Sequence, residues 1–438
     1  MNDIGIRRED KNRWERRAPL TPGQVGQLVK QGIEVVVQPS AIRAFADDEY
    51  ARAGARLADD LSACRLVLAV KEIPVRRLAA GQAYAYFAHV IKGQPYNMPM
   101  LARLLELGCS LIDYEKITDD RGRRLVFFGR HAGLAGMADS LWTLGRRLAA
   151  EGLDTAFAEL QPAHHYPDLA ALKRAVAAAG RRLAEEGLPE ELVPLVFGFA
   201  GYGNVSQGAQ EIFDLLPHRQ ITPAELLGRL PAERNLLFKV VFQEKDMVEP
   251  ARADGQFVLQ DYYQHPENYR GVFSRYLPRL TVLMNCIYWT ERYPRLLTRQ
   301  DLRRLWAAGA TPALRIIGDV SCDVEGAVEC TLKCTSPDDP VYVYRVDADD
   351  VVSGVEGRGP VVLAVDNLPC ELPAESTEDF GRALLPFLPA MARADYSRAF
   401  TELELPEPIR RAVITHRGRL TPDFAYLQQP LELHGGGQ

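Results

Sequence analysis

The stretch Phe197-Gly198-Phe199-Ala200-Gly201-Tyr202-Gly203-Asn204-Val205-Ser206-Gln207-Gly208 follows the apolar run 193–199 and leads into a helical pattern over 209–216. Strand, glycine turn and helix in direct succession form the opening unit of an α/β sheet. Gly201 permits the tight turn, and Gly203 leaves room for a pyrophosphate to approach the backbone. The first amides of the helix, at Asn204, Val205 and Ser206, then point at that anion. Ser206 stands where a third glycine is usual and is small enough for helix and strand to pack closely. A Gly-x-Gly alone also suits an ordinary glycine turn. Its place between strand and helix favours a dinucleotide.

On either side of this stretch, short apolar runs alternate with helical periodicity. Strands are expected at 4–6, 34–37, 66–70, 84–88 and 110–113 in the first part of the chain. Later ones fall at 236–242, 281–286, 314–318, 341–344 and 361–365. Thr21-Pro22 reads as a helix N-cap with proline at the first position. Helices are expected over 98–107, 132–151 and 169–186. The tyrosine-rich stretch 262–276 reads as an irregular connection, and the glycine tail 434–438 as frayed. The reading is two Rossmann-like domains, each a parallel sheet flanked by helices, with a cleft between them. Residues 1–135, completed by 366–438, would form the substrate domain, and 136–365 the dinucleotide-binding domain.

The chain has 438 residues, enough for two or three domains, with 47% hydrophobic and 25% charged residues. These proportions are those of a globular protein. The formal net charge of −6 argues against a general nucleic-acid binder. No apolar run approaches the roughly 20 residues that cross a bilayer. Seven scattered cysteines and a charged N-terminus suggest reduced thiols and a cytoplasmic location. Cys330 and Cys334, with Cys322 nearby, lack the paired short-range spacing of a structural zinc site, so no metal is expected.

Three strand ends carry candidate chemistry. The run from Arg7 to Arg17 sits between a strand and a helix, where open α/β sheets place ligands. Its arginines suit bidentate carboxylate binding, although a charge run is more often a solvated face. Lys71-Glu72 follows one strand, and His89 with Lys92 follows the next. A lysine flanked by a buried strand and other cations, and a histidine titrating near neutrality, suit proton transfer. About 20 residues beyond the glycine turn, His218-Arg219-Gln220 offers no acid for a ribose 2′-hydroxyl. Arg219 would there either meet a 2′-phosphate, favouring NADP over NAD, or be a surface residue.

Glu15, Arg17 and Leu20-Thr21-Pro22 resemble the opening of the alanine dehydrogenase/transhydrogenase superfamily. Within it, several segments resemble the lysine-ketoglutarate reductase (saccharopine dehydrogenase) family, the reductase half of the bifunctional aminoadipic semialdehyde synthases. They are Val70-Lys71-Glu72-Ile73-Pro74, Phe87-Ala88-His89-Val90-Ile91-Lys92, Leu111-Ile112-Asp113-Tyr114-Glu115-Lys116, Asn285-Cys286-Ile287-Tyr288-Trp289 and Val365-Asp366-Asn367-Leu368-Pro369. The resemblance implies condensation of L-lysine with 2-oxoglutarate and reduction of the imine to saccharopine. It assigns proton transfer to Lys71 and His89. Arg17, Glu72, Lys92, Glu115, Arg124 and Asn367 would line the substrate pocket. Ile287, Asp319 and Leu368 would join Gly201, Gly203 and the following amides around NADPH, the favoured coenzyme, or NADH.

A chain of this length is too short for the second, saccharopine-splitting half, which implies one function or a separate partner dehydrogenase. The alternatives are an NAD-linked saccharopine dehydrogenase, an opine-type reductase with another amine, and a nucleotide-binding protein without catalysis.

Overall fold

Short β-rich runs pair into two eight-stranded sheets in the computed structural model, which describes residues 3–252, 254–307 and 312–435. The frayed-tail expectation at 436–438 lies outside the described residues. The chain divides into two units, Met1–Phe128 with Pro373–Gln438, and Gly129–Leu372. The expected division at 135/136 would cut the helix Gly129–Ala150, which belongs whole to the second unit.

In the first unit the strand order is Arg419–Leu420, Val413–His416, Ser110–Asp113, Ala83–Tyr86, Leu66–Leu68, Ile4–Ile6, Val35–Val37, Arg56–Leu57. The six strands before residue 129 run parallel. Ile4–Ile6 is flanked by Val35–Val37 on one side and Leu66–Leu68 on the other. Connections leave in opposite directions there, which opens a crevice at the strands' carboxyl ends. Val413–His416 adds antiparallel to Ser110–Asp113. Its four residues among arginines gave no strand signal, and pairing with a buried neighbour decides it. The helix Pro22–Lys30 starts as expected: the Thr21 hydroxyl accepts from the Gln24 amide, and the Gln24 side chain accepts from the Thr21 amide.

In the second unit the order is Asp350–Ser353, Val341–Arg345, Val361–Leu363, Ile316–Asp319, Val282–Asn285, Val196–Ala200, Leu237–Phe242, His218–Ile221. The six strands from Val361–Leu363 to His218–Ile221 are parallel. Alternate side chains feed two cores. Phe197 and Phe199 pack with the helix Gly129–Ala150, while Val196 and Ala200 pack with Phe238 and Val240. Burial of both faces is what a parallel sheet between helices requires.

The stretch expected to be irregular is ordered by its aromatics. Leu259–Gln264 is a helix, Tyr269–Gly271 pairs antiparallel with Val248–Pro250, and the rings of Tyr262 and Tyr269 meet edge-on at 5.3 Å.

The helices Gly129–Ala150 and Asn204–Phe213 approach through glycine. A Cβ on Gly208 would lie 2.0 Å from the Arg130 carbonyl oxygen, and one on Gly133 would lie 1.9 Å from that of Val205. Gly208→Ala is therefore expected to lower the unfolding free energy by about 1–3 kcal/mol in denaturant titrations.

Candidate active site

The first cluster belongs to the first unit and grows from the carboxyl ends of four parallel strands. After Ile4–Ile6 comes the arginine-rich loop, and its Glu9 turns inward. The buried Glu9 carboxylate accepts from the amides of Val70 (2.7 Å) and Lys71 (3.0 Å). This ties the first loop to the end of Leu66–Leu68 and fixes where Lys71 leaves the backbone. Burial, with the charge of Glu15 nearby, pushes Glu9 up to about 7.

Arg17 and Glu15 are fully buried and paired through two bonds, Nε to Oε1 at 2.7 Å and NH2 to Oε2 at 2.6 Å. The guanidinium lies 4.2 Å from the Phe128 ring centre. One edge of the fork expected to hold a substrate carboxylate is thus already occupied by Glu15. Arg17 also acts at a distance. Burial, and then the charges of Arg17 and Lys11, hold the Lys71 ammonium below the usual lysine range. Lys71 forms no ion pair among the described residues.

His89 lies three residues past the next strand, Ala83–Tyr86, with φ at 51°, a left-handed conformation costly for a residue with a Cβ. The Asn97 side chain holds the turn by donating to the carbonyls of Ala88 (2.9 Å) and His89 (3.2 Å). The ring stacks on Phe87 and lies between two carboxylates. Its Nε2 is 3.7 Å from Glu72 and its Nδ1 is 3.8 Å from Glu115. Burial outweighs both carboxylates and lowers its pKa, which favours the neutral imidazole.

Lys11 reaches Glu72 at 3.7 Å, and Arg124 reaches Glu115 at 3.2 Å. Arg124 itself is exposed, and so is Lys92. Below them Asp113, fully buried, accepts from the Glu115 amide, and burial raises it to about 7. The structure thus joins Lys71, Glu72, His89, Glu115 and Arg124 in one electrostatic cluster. Sequence reading missed Glu9, Lys11 and Asp113. The first two were hidden in a charge run that looked solvated.

The second cluster belongs to the second unit, at the crevice between Val196–Ala200 and Val282–Asn285. Gly201 has φ at 95°, and a Cβ there would meet Ile287 at 3.1 Å and the Cys286 carbonyl oxygen at 3.2 Å. At Gly203 a Cβ would find no atom within 4 Å. The tight turn and the open cradle are both present. The helix Asn204–Phe213 starts directly from Gly203, so the amides of Asn204, Val205 and Ser206 open its first turn. The Ser206 side chain is buried, its hydroxyl accepting from Gln210 at 2.9 Å. Around the turn lies a cavity of about 400 Å³, lined by Gly201, Gly203, Glu244, Tyr263, Ile287 and Trp289. A dinucleotide fits these residues: glycines at the pyrophosphate position, helix amides, and an aromatic wall.

Three of the expected cofactor residues make other contacts. Arg219 lies on the outermost strand, and Leu237–Phe242 intervenes between it and the glycine turn. It pairs instead with Glu233 at 2.8 Å. Because the chain inserts His218–Ile221 at the edge, the strand end beside the glycine turn is that of Leu237–Phe242. Glu244 stands there, and its carboxylate accepts from the hydroxyls of Tyr263 (2.6 Å) and Tyr202 (3.5 Å). Asp319 is buried and receives bonds from Thr331 (2.6 Å), Ser321 (2.7 Å) and Asn285 (2.8 Å), so it braces strand ends. Leu368 is buried in the apolar core, near enough to Gly136 that a Cβ there would meet it at 3.1 Å. Asn367 precedes it, half-buried, at the start of the short 3-10 helix Leu368–Glu371.

Two parallel-dominated sheets, one bearing a cluster of titratable side chains and the other a glycine turn, define a two-domain Rossmann-like protein. The chain belongs to the alanine dehydrogenase/PNT family: the N-terminal domain model matches residues 5–135 and the C-terminal domain model residues 287–423. It is 38% identical, over 97% of its length, to the mitochondrial alpha-aminoadipic semialdehyde synthase of Mus musculus, of which it covers 47%. It is 37% identical over 97% of its length to the synthase of Arabidopsis thaliana, of which it covers 41%. The chain therefore spans less than half the length of these relatives.

It is also 27% identical to the saccharopine dehydrogenase [NAD(+), L-lysine-forming] of Emericella nidulans, covering 92% of this chain and 96% of that protein. Among solved structures an L-alanine dehydrogenase shares the fold, with a TM-score of 0.59, 20% identity, and coverage of 98% of this chain and 99% of that one. Among the described residues no helix is long and apolar enough to cross a membrane.

Glu9 gives the first cluster a signature in stability. Its ordinary value of 4.5 rises to about 7 on folding, so the protonated form is the one favoured by the fold. Its contribution is full below 4.5 and is lost as pH rises through about 7. Glu9→Gln, which keeps the protonated shape, is expected to flatten the fall of unfolding free energy over that interval. The change should be on the order of 1–3 kcal/mol, measured by denaturant titration across pH.

Proposed function

We propose that this protein is a nicotinamide-dependent oxidoreductase that joins L-lysine to 2-oxoglutarate and reduces the resulting imine to saccharopine. The observation that carries the reading is His89 between Glu72 and Glu115, with the depressed ammonium of Lys71 in the same cluster. Similarity to the aminoadipic semialdehyde synthases and saccharopine dehydrogenases supports the substrates.

The ε-ammonium of lysine must lose a proton before its nitrogen can attack the keto carbon. Lys71, whose ammonium is held below its usual range, accepts that proton once it is itself deprotonated, and Glu72 or Glu115 holds the substrate ammonium beforehand. The addition product then loses its hydroxyl as water, and His89 moves the proton to that oxygen. The bound nicotinamide supplies hydride to the imine carbon. Arg17, through whatever face Glu15 leaves it, and Arg124, Lys92 and Asn367 answer the substrates' carboxylates.

The dinucleotide rests on Gly201, Gly203, Ile287 and the first helix amides. Glu244 tips the choice to NADH over NADPH: its carboxylate suits a ribose 2′-hydroxyl and repels a 2′-phosphate. This favours an NAD-linked enzyme on the same scaffold. Seven free cysteines suit a reducing compartment, the cytoplasm. A separate dehydrogenase that splits saccharopine would complete the conversion.

The test is loss of reduced nicotinamide absorbance with L-lysine and 2-oxoglutarate together, then with each omitted. Turnover that needs both substrates is expected; none with either coenzyme would reject the reading. Lys71→Met and His89→Gln should each lower kcat by about 10²–10⁴-fold while dinucleotide binding persists. The wild type should prefer NADH, and Glu244→Arg should shift kcat/KM towards NADPH by about tenfold or more. Unchanged selectivity in that variant would remove Glu244 from the ribose site.

A further inference from the structure

Beyond the carboxyl ends of two adjacent parallel strands, three side chains converge that neither cluster above uses. Cys322 lies three residues past Ile316–Asp319, and Asp366 three residues past Val361–Leu363; the two strands pair directly. Cys334 comes from the intervening segment. Backbone bonds fix its place: the Thr335 amide donates to the Ala364 carbonyl at 2.8 Å, and the Asp366 amide donates to the Thr335 carbonyl at 3.2 Å. Each residue offers one ligand atom, and the two Sγ atoms and a carboxylate oxygen all lie within 4.8 Å of one another.

Cys322 is nearly buried, with φ at 50°, whereas Cys334 and Asp366 are exposed, so the group is open to solvent on one side. The Cys334 Sγ sits 3.1 Å from the Cys322 carbonyl oxygen.

We propose that Cys322, Cys334 and Asp366 form a binding site for a thiophilic divalent cation of the zinc class. Ligand atoms around a tetrahedral zinc stand about 3.5–3.8 Å apart, given Zn–S near 2.3 Å and Zn–O near 2.0–2.2 Å. Atoms already within 4.8 Å need only a small closing movement to reach that spacing. Two sulfur ligands select zinc over magnesium or calcium, which take oxygen donors. Water fills the fourth position. The ion would fasten the Cys322 turn and the Cys334 segment to the residue just before Asn367, bracing this corner of the second unit.

Spacing along the sequence hid the site. Cys330, the nearer partner by number, is buried elsewhere, and the third ligand comes 32 residues after Cys334. A simple disulfide would leave Asp366 without a part, which is why the cation is favoured.

The test uses the full chain, reduced, stripped with a chelator and then dialysed against zinc chloride, with bound metal counted by mass spectrometry. One zinc per chain is expected. Cys322→Ser and Cys334→Ser should weaken binding by about tenfold or more, and the exposed, fold-neutral Asp366→Asn should weaken it measurably. Cobalt(II) should give thiolate charge-transfer absorption in the wild type that Cys334→Ser loses. Cys64→Ser, in the other unit, should bind as the wild type does. No zinc in the wild type, or equal uptake by all variants, overturns the site. Loss of two titratable thiols to glutathione disulfide, without zinc uptake, overturns it in favour of a redox pair.

Discussion

The first cluster depends on one buried carboxylate. Glu9 leaves the loop after Ile4–Ile6 and accepts the amides of Val70 and Lys71 at the end of the neighbouring strand. The Lys71 side chain therefore departs from a backbone position that two hydrogen bonds hold. Around it, Arg17 is buried and bonded along one edge of its fork to Glu15, and its charge reaches Lys71 as a field. The lowered ammonium of Lys71 follows from this crowding and burial, not from the lysine itself. The loop looked like a solvated charge run because its residues are charged. Its inward acids are paired with amides and with arginine, which is the condition for burying them.

Both units use the same sheet constraint. Parallel strands put all their carboxyl ends at one edge, and the reversal of strand order opens a crevice there. In the first unit that edge gathers Lys71, Glu72, His89 and Glu115 from separate stretches. In the second it gathers Gly201, Ile287 and Glu244. Cys322 and Asp366 leave two adjacent strands at the same edge of the second sheet. These side chains thus gather at one edge of each sheet.

Small residues set the remaining tolerances. Gly208 and Gly133 let two helices meet at backbone distance, so the helix behind the glycine turn rests on the long helix Gly129–Ala150. The packing task that a third glycine would perform between helix and strand passes in part to this helix–helix contact. Ser206, buried and bonded to Gln210, fits in its place.

The sequence by itself determined the α/β alternation, the Thr21 cap, the glycine turn and the strand-end positions of Lys71, Glu72 and His89. Each rests on a local pattern: periodicity of apolar side chains, a capping pair, or a turn between strand and helix. Tertiary structure alone decided which strand lies beside which. Counting 20 residues onward led to Arg219, yet sheet pairing puts that strand at the edge and sets Glu244 beside the glycine turn. The antiparallel Val413–His416 and the meeting of Cys322, Cys334 and Asp366 were likewise invisible. They depend on hydrogen bonds between segments far apart in the chain, and no short window of sequence contains both partners.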